Sequence, residues 1–446
     1  MSPRELMRVY SRDERLNTGR FFSSGGLEVS PGDHVGVVLM VPGAPKNETE
    51  VADYIYRRMM GPSRAVTSAK VWMRHALSLM RARLSAGTLT KRLDSIGGGT
   101  AIERMNREQA EAVQRCIRSR TALPDSVRVS TYLGSPFGSP ELEETASRMV
   151  DDHVTHVILL PLFPQYASGT TGRGLAEWEA MLARGSLPRW PTVAVWEFAR
   201  NEKYVQAICD RIDQALQRFP KHIRDDVHLL FAAHGRITIH SERDADPYCC
   251  LVHNTVDSVM ERRSHDRLFT LSFVRDGLFG NRLSSDLATR LAALKKTGCR
   301  AVLVIPVDYV SEQFDTSYLL DVRLRDTADE SGIVHYHVMT GLNCHPLFIE
   351  SVSDMIVERI TAGRVRTGSD QAISCPRHSW RSDAIGIENR RECGICPYHG
   401  SQSSDAQQRG ARSSERPSDI SPGERLAAQT KPPMPPTARS TAGRTS

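Results

Sequence analysis

His234 stands at the end of an apolar run, in Phe231-Ala232-Ala233-His234-Gly235, with Asp246-Pro247-Tyr248 a dozen residues further on. An imidazole titrates near neutrality, so one placed at a strand end can take a proton from a bound molecule and release it again. Ser311-Glu312-Gln313-Phe314-Asp315-Thr316-Ser317-Tyr318-Leu319-Leu320-Asp321 follows another apolar run and carries three carboxylates, Glu312, Asp315 and Asp321. Pro161-Leu162-Phe163-Pro164-Gln165-Tyr166, closed by Thr170-Thr171-Gly172, follows His156-Val157-Ile158-Leu159-Leu160 in the same way. Each polar group thus sits where a buried strand ends, the edge at which open α/β sheets bind ligands.

Eight segments read as the strands that position these groups: 35–41, 127–133, 156–163, 192–196, 227–233, 268–273, 300–306 and 333–339. Amphipathic stretches at 106–117, 141–150, 202–217 and 286–296 read as helices between them, Asn106 and Gln109 forming a capping box that starts the first. The alternation predicts an α/β protein of two Rossmann-like domains, each a four-stranded parallel sheet flanked by helices. The boundaries expected are an N-terminal extension over 1–33, a first domain over 34–188 with the last helix returning at 345–362, and a second domain over 189–344. A cysteine-bearing extension at 363–400 and a disordered Ser-, Pro- and Arg-rich tail at 401–446 complete the chain.

The 446 residues carry a net charge of +6, with 25% charged and 40% hydrophobic side chains, which describes a soluble globular protein. No apolar run approaches the roughly 18 residues of a membrane span. The arginines scatter instead of clustering, so no nucleic-acid partner is expected. Nine cysteines, an odd number, and no secretory signal point to a reducing compartment. Arg4, Arg8, Arg12, Arg15 and Arg20 before Phe21-Phe22-Ser23-Ser24 suit an organelle transit segment, whereas Glu5, Asp13 and Glu14 suit a plain extension. Cytoplasm and mitochondrial matrix both stay open.

Taken in order, these segments resemble ferrochelatases, which insert ferrous iron into a porphyrin. The resemblance extends to Val35–Val41 running into Pro42-Gly43-Ala44-Pro45, to Gly97-Gly98-Gly99-Thr100, and to Arg275 with Gly277, covering roughly residues 34 to 362. It implies a chelatase-like fold with the porphyrin in the cleft between two domains, Fe2+ as substrate and protohaem as product. His234 would accept pyrrole protons; Asp315, with Glu312 and Asp321, would form with it the path for protons or ferrous ion. Pro42, Gln165, Tyr166, Ser168, Thr170 and Arg275 would contact the porphyrin, Arg275 through a propionate. Pro42, where relatives that metallate coproporphyrin carry tyrosine, favours protoporphyrin.

The chain also departs from the family. Asp315 replaces a glutamate, Gln313 a common histidine and Leu319 an acidic residue, and the aromatic partner expected after Gly277 is missing. Coproporphyrin or sirohydrochlorin chelation, or a porphyrin-binding protein that has lost turnover, are therefore the alternatives. The Met-rich stretch 56–93 matches the family's apolar lip and suits peripheral membrane contact. By the same resemblance Cys375, Cys393 and Cys396 would hold a [2Fe–2S] cluster, with a fourth ligand from Cys249, Cys250 or Cys344, and the chain would form a homodimer. With His378 they also fit a structural zinc site, and a third alternative is no metal.

Overall fold

The computed structural model describes residues 2–362 apart from 12, 14, 62–67, 121–122, 124–125, 235–246, 275–284 and 314. The elements run α1 (Pro3–Tyr10), α2 (Arg15–Thr18), β1 (His34–Met40), α3 (Val51–Met59), α4 (Ser68–Asp94), α5 (Gly98–Arg118), β2 (Arg128–Gly134), α6 (Leu142–Asp151) and β3 (His156–Pro161). They continue with α7 (Arg173–Ala183), β4 (Thr192–Ala194), α8 (Glu202–Leu216), β5 (His228–His234), α9 (Tyr248–Arg262), β6 (Phe269–Val274), α10 (Ser285–Lys296), β7 (Ala301–Pro306), α11 (Leu324–Ser331), β8 (His335–Val338) and α12 (Pro346–Thr361). All eight expected strands are present, within two residues at either end.

They form two four-stranded sheets, ordered β2-β1-β3-β4 and β6-β5-β7-β8, with every neighbouring pair parallel. Parallel sheets are covered on both faces, which is why β1 and β7 are apolar along nearly their whole length and buried at every residue. His34, the polar exception in β1, spends its ring nitrogens on the Asp152 carbonyl and the Ser130 hydroxyl. In each sheet the strand order reverses once, between β1 and β3 and between β5 and β7. A crevice opens above the carboxyl ends of the strands at such a reversal. The four strand ends that matter are therefore 40–42, 161–163, 234 and 306–308.

Three details differ from expectation. β4 pairs with β3, Val157 opposite Thr192 and Leu159 opposite Ala194, so the chain passes between sheets after 194 and not at 188. Asn106 does not start a helix: it lies buried inside α5, which begins at Gly98 directly after Gly97. Gly97, at φ +91°, makes the left-handed corner that lets α4 end and α5 begin within a few residues. The third is the N-terminal segment, which is built into the fold.

Leu6, Met7, Tyr10 and Leu16 are each no more than 6% exposed. They pack against Ala176 and Ala180 of α7 and, through Met7, against Met60 and Val71 at the base of α4. Ser23 bridges to Val193 on edge strand β4, and the Leu27 N–H donates to the Arg359 carbonyl. Removing this segment would expose all of that packing. The largest core cluster joins the inner faces of both sheets through α5, α8, α9 and α12, so the two halves share one apolar interior.

Candidate functional site

β5 ends at His234, whose imidazole is 15% exposed by its side chain. Two residues beyond the end of the neighbouring strand β7 stands Asp308, a carboxylate 8% exposed. Asp308 Oδ2 accepts the His234 backbone N–H at 2.6 Å and the Tyr248 hydroxyl at 3.0 Å. The same oxygen lies 3.6 Å from His234 Nδ1. Asp308 Oδ1 is buried and has no hydrogen-bond partner among the described residues. Burial pushes the Asp308 carboxyl up, and His234 and the two hydrogen bonds oppose that rise. The Tyr309 ring meets the imidazole edge-on, with centroids 5.0 Å apart.

Tyr309 also lines a small closed cavity with Pro42, Leu89, Leu93, Ile102 and Gln313, and Arg58 lies on its wall. Its volume is about 10 Å³. Small-molecule sites enclose roughly 300–1,000 Å³, so this cavity by itself is far too small to hold one. The closure is apolar: Leu319 packs into a cluster with Leu89, Leu93, Ile102, Phe137 and Phe163. Leu319, carried on the π-helix Asp315–Arg323, thus packs that helix against α4 and α5.

The sequence of the Ferrochelatase family model matches residues 34–360, some three quarters of the chain. This chain belongs to the ferrochelatase family. It is 26% identical over 332 residues to a ferrochelatase of Trichodesmium erythraeum, covering 74% of this chain and 83% of that one. A ferrochelatase of Gloeobacter violaceus is 25% identical over 327 residues, covering 73% of this chain and 98% of that one. Among solved structures, SirB from Bacillus subtilis with Fe3+ aligns at a TM-score of 0.42 and 10% identity, covering 77% of this chain and 99% of that one.

Within this ferrochelatase-family chain the expected site residues have different fates. His234 and Pro42 stand at strand ends, Pro42 on the cavity wall. Asp315 opens the π-helix Asp315–Arg323, a helix type often found at functional sites; its side chain lies outside the described part. Glu312 is half-buried, Oε1 accepting the Gly341 N–H at 2.7 Å and Oε2 the Ser317 hydroxyl at 3.3 Å. Asp321 is exposed on the helix surface and accepts Arg325 Nη2 at 2.6 Å. Among the described residues no three His, Cys, Asp or Glu side chains gather as a metal-holding group.

Gln165 and Tyr166, expected among the porphyrin contacts, are both buried. Gln165 Nε2 donates to the Thr255 hydroxyl at 2.8 Å and to the Val307 carbonyl at 3.0 Å, tying the end of β3 to the second sheet. The Tyr166 hydroxyl donates to the Leu16 carbonyl at 2.6 Å, with the N-terminal segment over it. Ser168 and Thr170 are half-buried in the π-turn Ser168–Gly172 that leads into α7. Arg275, Cys375, His378, Cys393 and Cys396 lie outside the described residues, as does the tail over 401–446. Of the other thiols, Cys249 and Cys250 lie in α9 and Cys344 just before α12.

Asp308, Tyr309 and Arg58 went unread as site residues. The one local signal for Asp308 is an acid interrupting the apolar run from Val302 to Val310.

Proposed function

We propose that this chain inserts ferrous iron into protoporphyrin IX to give protohaem, the closing chemical step of haem formation. The observation that supports it most is His234, backed by a buried carboxylate and set against Tyr309, which walls the closed apolar cavity. As iron binds, the two pyrrole N–H protons must leave; the imidazole accepts one from the ring face and passes it to solvent before taking the next. Glu312 and Asp315, on the chain that follows β7, supply oxygens along which ferrous ion sheds water. Arg58, which donates to the Tyr54 hydroxyl at 3.2 Å, can meet a propionate at the cavity wall. Admission of a flat macrocycle requires the α4 lip to swing away from Leu319.

The test is anaerobic incubation with ferrous ion and protoporphyrin, with coproporphyrin alongside, followed by absorbance. Haem formed from protoporphyrin supports the reading. Preferential metallation of coproporphyrin, or porphyrin bound without insertion, overturns it.

The outer face of α4 carries a second expected behaviour. Met73, Leu77, Met80 and Leu84 recur at helical spacing and are 46–76% exposed, with Trp72 beside them at 62%. Exposed Arg81 and Arg83 flank this stripe, whereas Arg74 is spent on the Met59 carbonyl. No helix among the described residues is long and apolar enough to cross a membrane. We infer peripheral contact of this face with an anionic lipid surface. The chain is expected to sediment with phosphatidylserine-containing vesicles and Leu84→Glu to weaken that about tenfold; no sedimentation of the unmodified chain removes the inference.

A further inference from the structure

We propose that Asp308 is the positioning residue of the reaction, holding His234 with Nδ1 toward its carboxylate and leaving Nε2 to receive the pyrrole proton. This rests on the reading of His234 as the base, and it assigns a role that neither the family motifs nor the carboxylates of 312–321 include.

The first support is cost. A carboxylate withdrawn from water at a strand edge is expensive unless its charge is used. Capping one backbone N–H and one tyrosine hydroxyl does not require a charge; an asparagine would serve. The second support is where those two hydrogen bonds go. One fixes the backbone of the residue that carries the imidazole, at 2.6 Å. The other, at 3.0 Å, anchors Tyr248 at the first turn of α9, the element that follows the 235–246 connection from His234. The carboxylate thus grips both ends of that connection.

The third support is the ring itself. Nδ1 lies 3.6 Å from Asp308 Oδ2, too long for a hydrogen bond but within ion-pair reach, and catalytic contacts of this kind shorten when substrate binds. Tyr309 closes the side of the ring at 5.0 Å, which limits its rotation. A histidine's reactive nitrogen is set by what its other nitrogen faces. In the transfer, the pyrrole nitrogen loses its proton to Nε2 and keeps the electron pair for iron. The imidazolium's positive charge then lies beside an ionised Asp308, which takes no proton, and the proton leaves Nε2 for solvent.

The experiment compares the full chain with Asp308→Asn and Asp308→Ala, each checked for folding by its thermal midpoint. Asparagine keeps an acceptor for the His234 N–H and Tyr248 while removing the charge. Expected is a fall in kcat for ferrous insertion of about tenfold or more, with KM for protoporphyrin within about twofold, in Asp308→Asn. Insertion by Asp308→Asn within about twofold of the original chain reduces Asp308 to a structural cap and overturns the proposal.

The second readout needs no activity: 15N shifts of labelled histidine in the substrate-free chain. The His234 signal, identified by its loss in His234→Gln, is expected as the Nδ1–H tautomer, and Asp308→Ala is expected to shift it toward Nε2–H. A tautomer indifferent to Asp308 overturns the proposal. An Asp308-dependent tautomer in a chain that makes no haem keeps the positioning and sinks the proposed reaction instead.

Discussion

His234→Ala is expected to slow ferrous insertion by about 10²–10⁴-fold, the range for removing a positioned general base. Porphyrin affinity should stay within about twofold, because the proposed porphyrin contacts lie on the lip and opening loop and the imidazole contributes proton transfer, not area. The variant should fold, since His234 ends its strand and its backbone N–H, the group gripped by Asp308, survives the substitution. Added imidazole should restore part of the rate, which a collapsed site would not allow. Stopped-flow absorbance under anaerobic conditions reads both quantities. A rate within about threefold of the original would move the base elsewhere, with Asp315 next in line.

Arg173→Ala is expected to cost about 3–5 kcal/mol, the penalty for breaking a buried charged contact. Arg173 opens α7 at 1% exposure. Its guanidinium donates to the Arg57 carbonyl at the end of α3 and, at 3.0 Å, to the Pro136 carbonyl, while covering the Phe137 ring at 4.8 Å. Glu177 sits one turn on, 3.9 Å from Nε, and burial raises its carboxyl above the usual range. Burial pushes Arg173 itself down to about 10, so it remains charged at neutral pH. Alanine would strand two carbonyls and an acid in the interior. Lysine should rescue little, because a single ammonium cannot reproduce the planar fork. The expected fall in Tm is on the order of 10 °C; a change of about 1 °C or less would show that the three segments hold without their clamp.

The strands were legible because a parallel sheet covered on both faces writes itself as continuous apolar runs, as in Val302 to Pro306. His234 was legible because it ends such a run. Asp308 was not: its meaning comes from β5 and β7 lying side by side, and nothing within a few residues of it announces that pairing. Gln165 and Tyr166 present the converse case. Polar residues after a strand resemble ligand contacts, while the protein partners they meet, Thr255, Val307 and Leu16, stand 90 to 150 residues away along the chain and leave no local trace. The start of α5 was misplaced because the signal lay in the left-handed turn at Gly97 and not in the Asn106 pattern.

Gln165 has a mechanical consequence. By stitching the end of β3 to Val307 and to Thr255, with the Tyr204 hydroxyl donating to the same Val307 carbonyl at 2.9 Å, it makes the two sheets a stiff frame. In the proposed reaction this frame is the fixed side of the site, and α4, which meets it through Leu89 and Leu93, is the side that yields. On that reading doorway and anvil are separately adjustable: substitutions on α4 are expected to change how fast a ring enters and leaves, and substitutions at the strand ends what happens to it once inside.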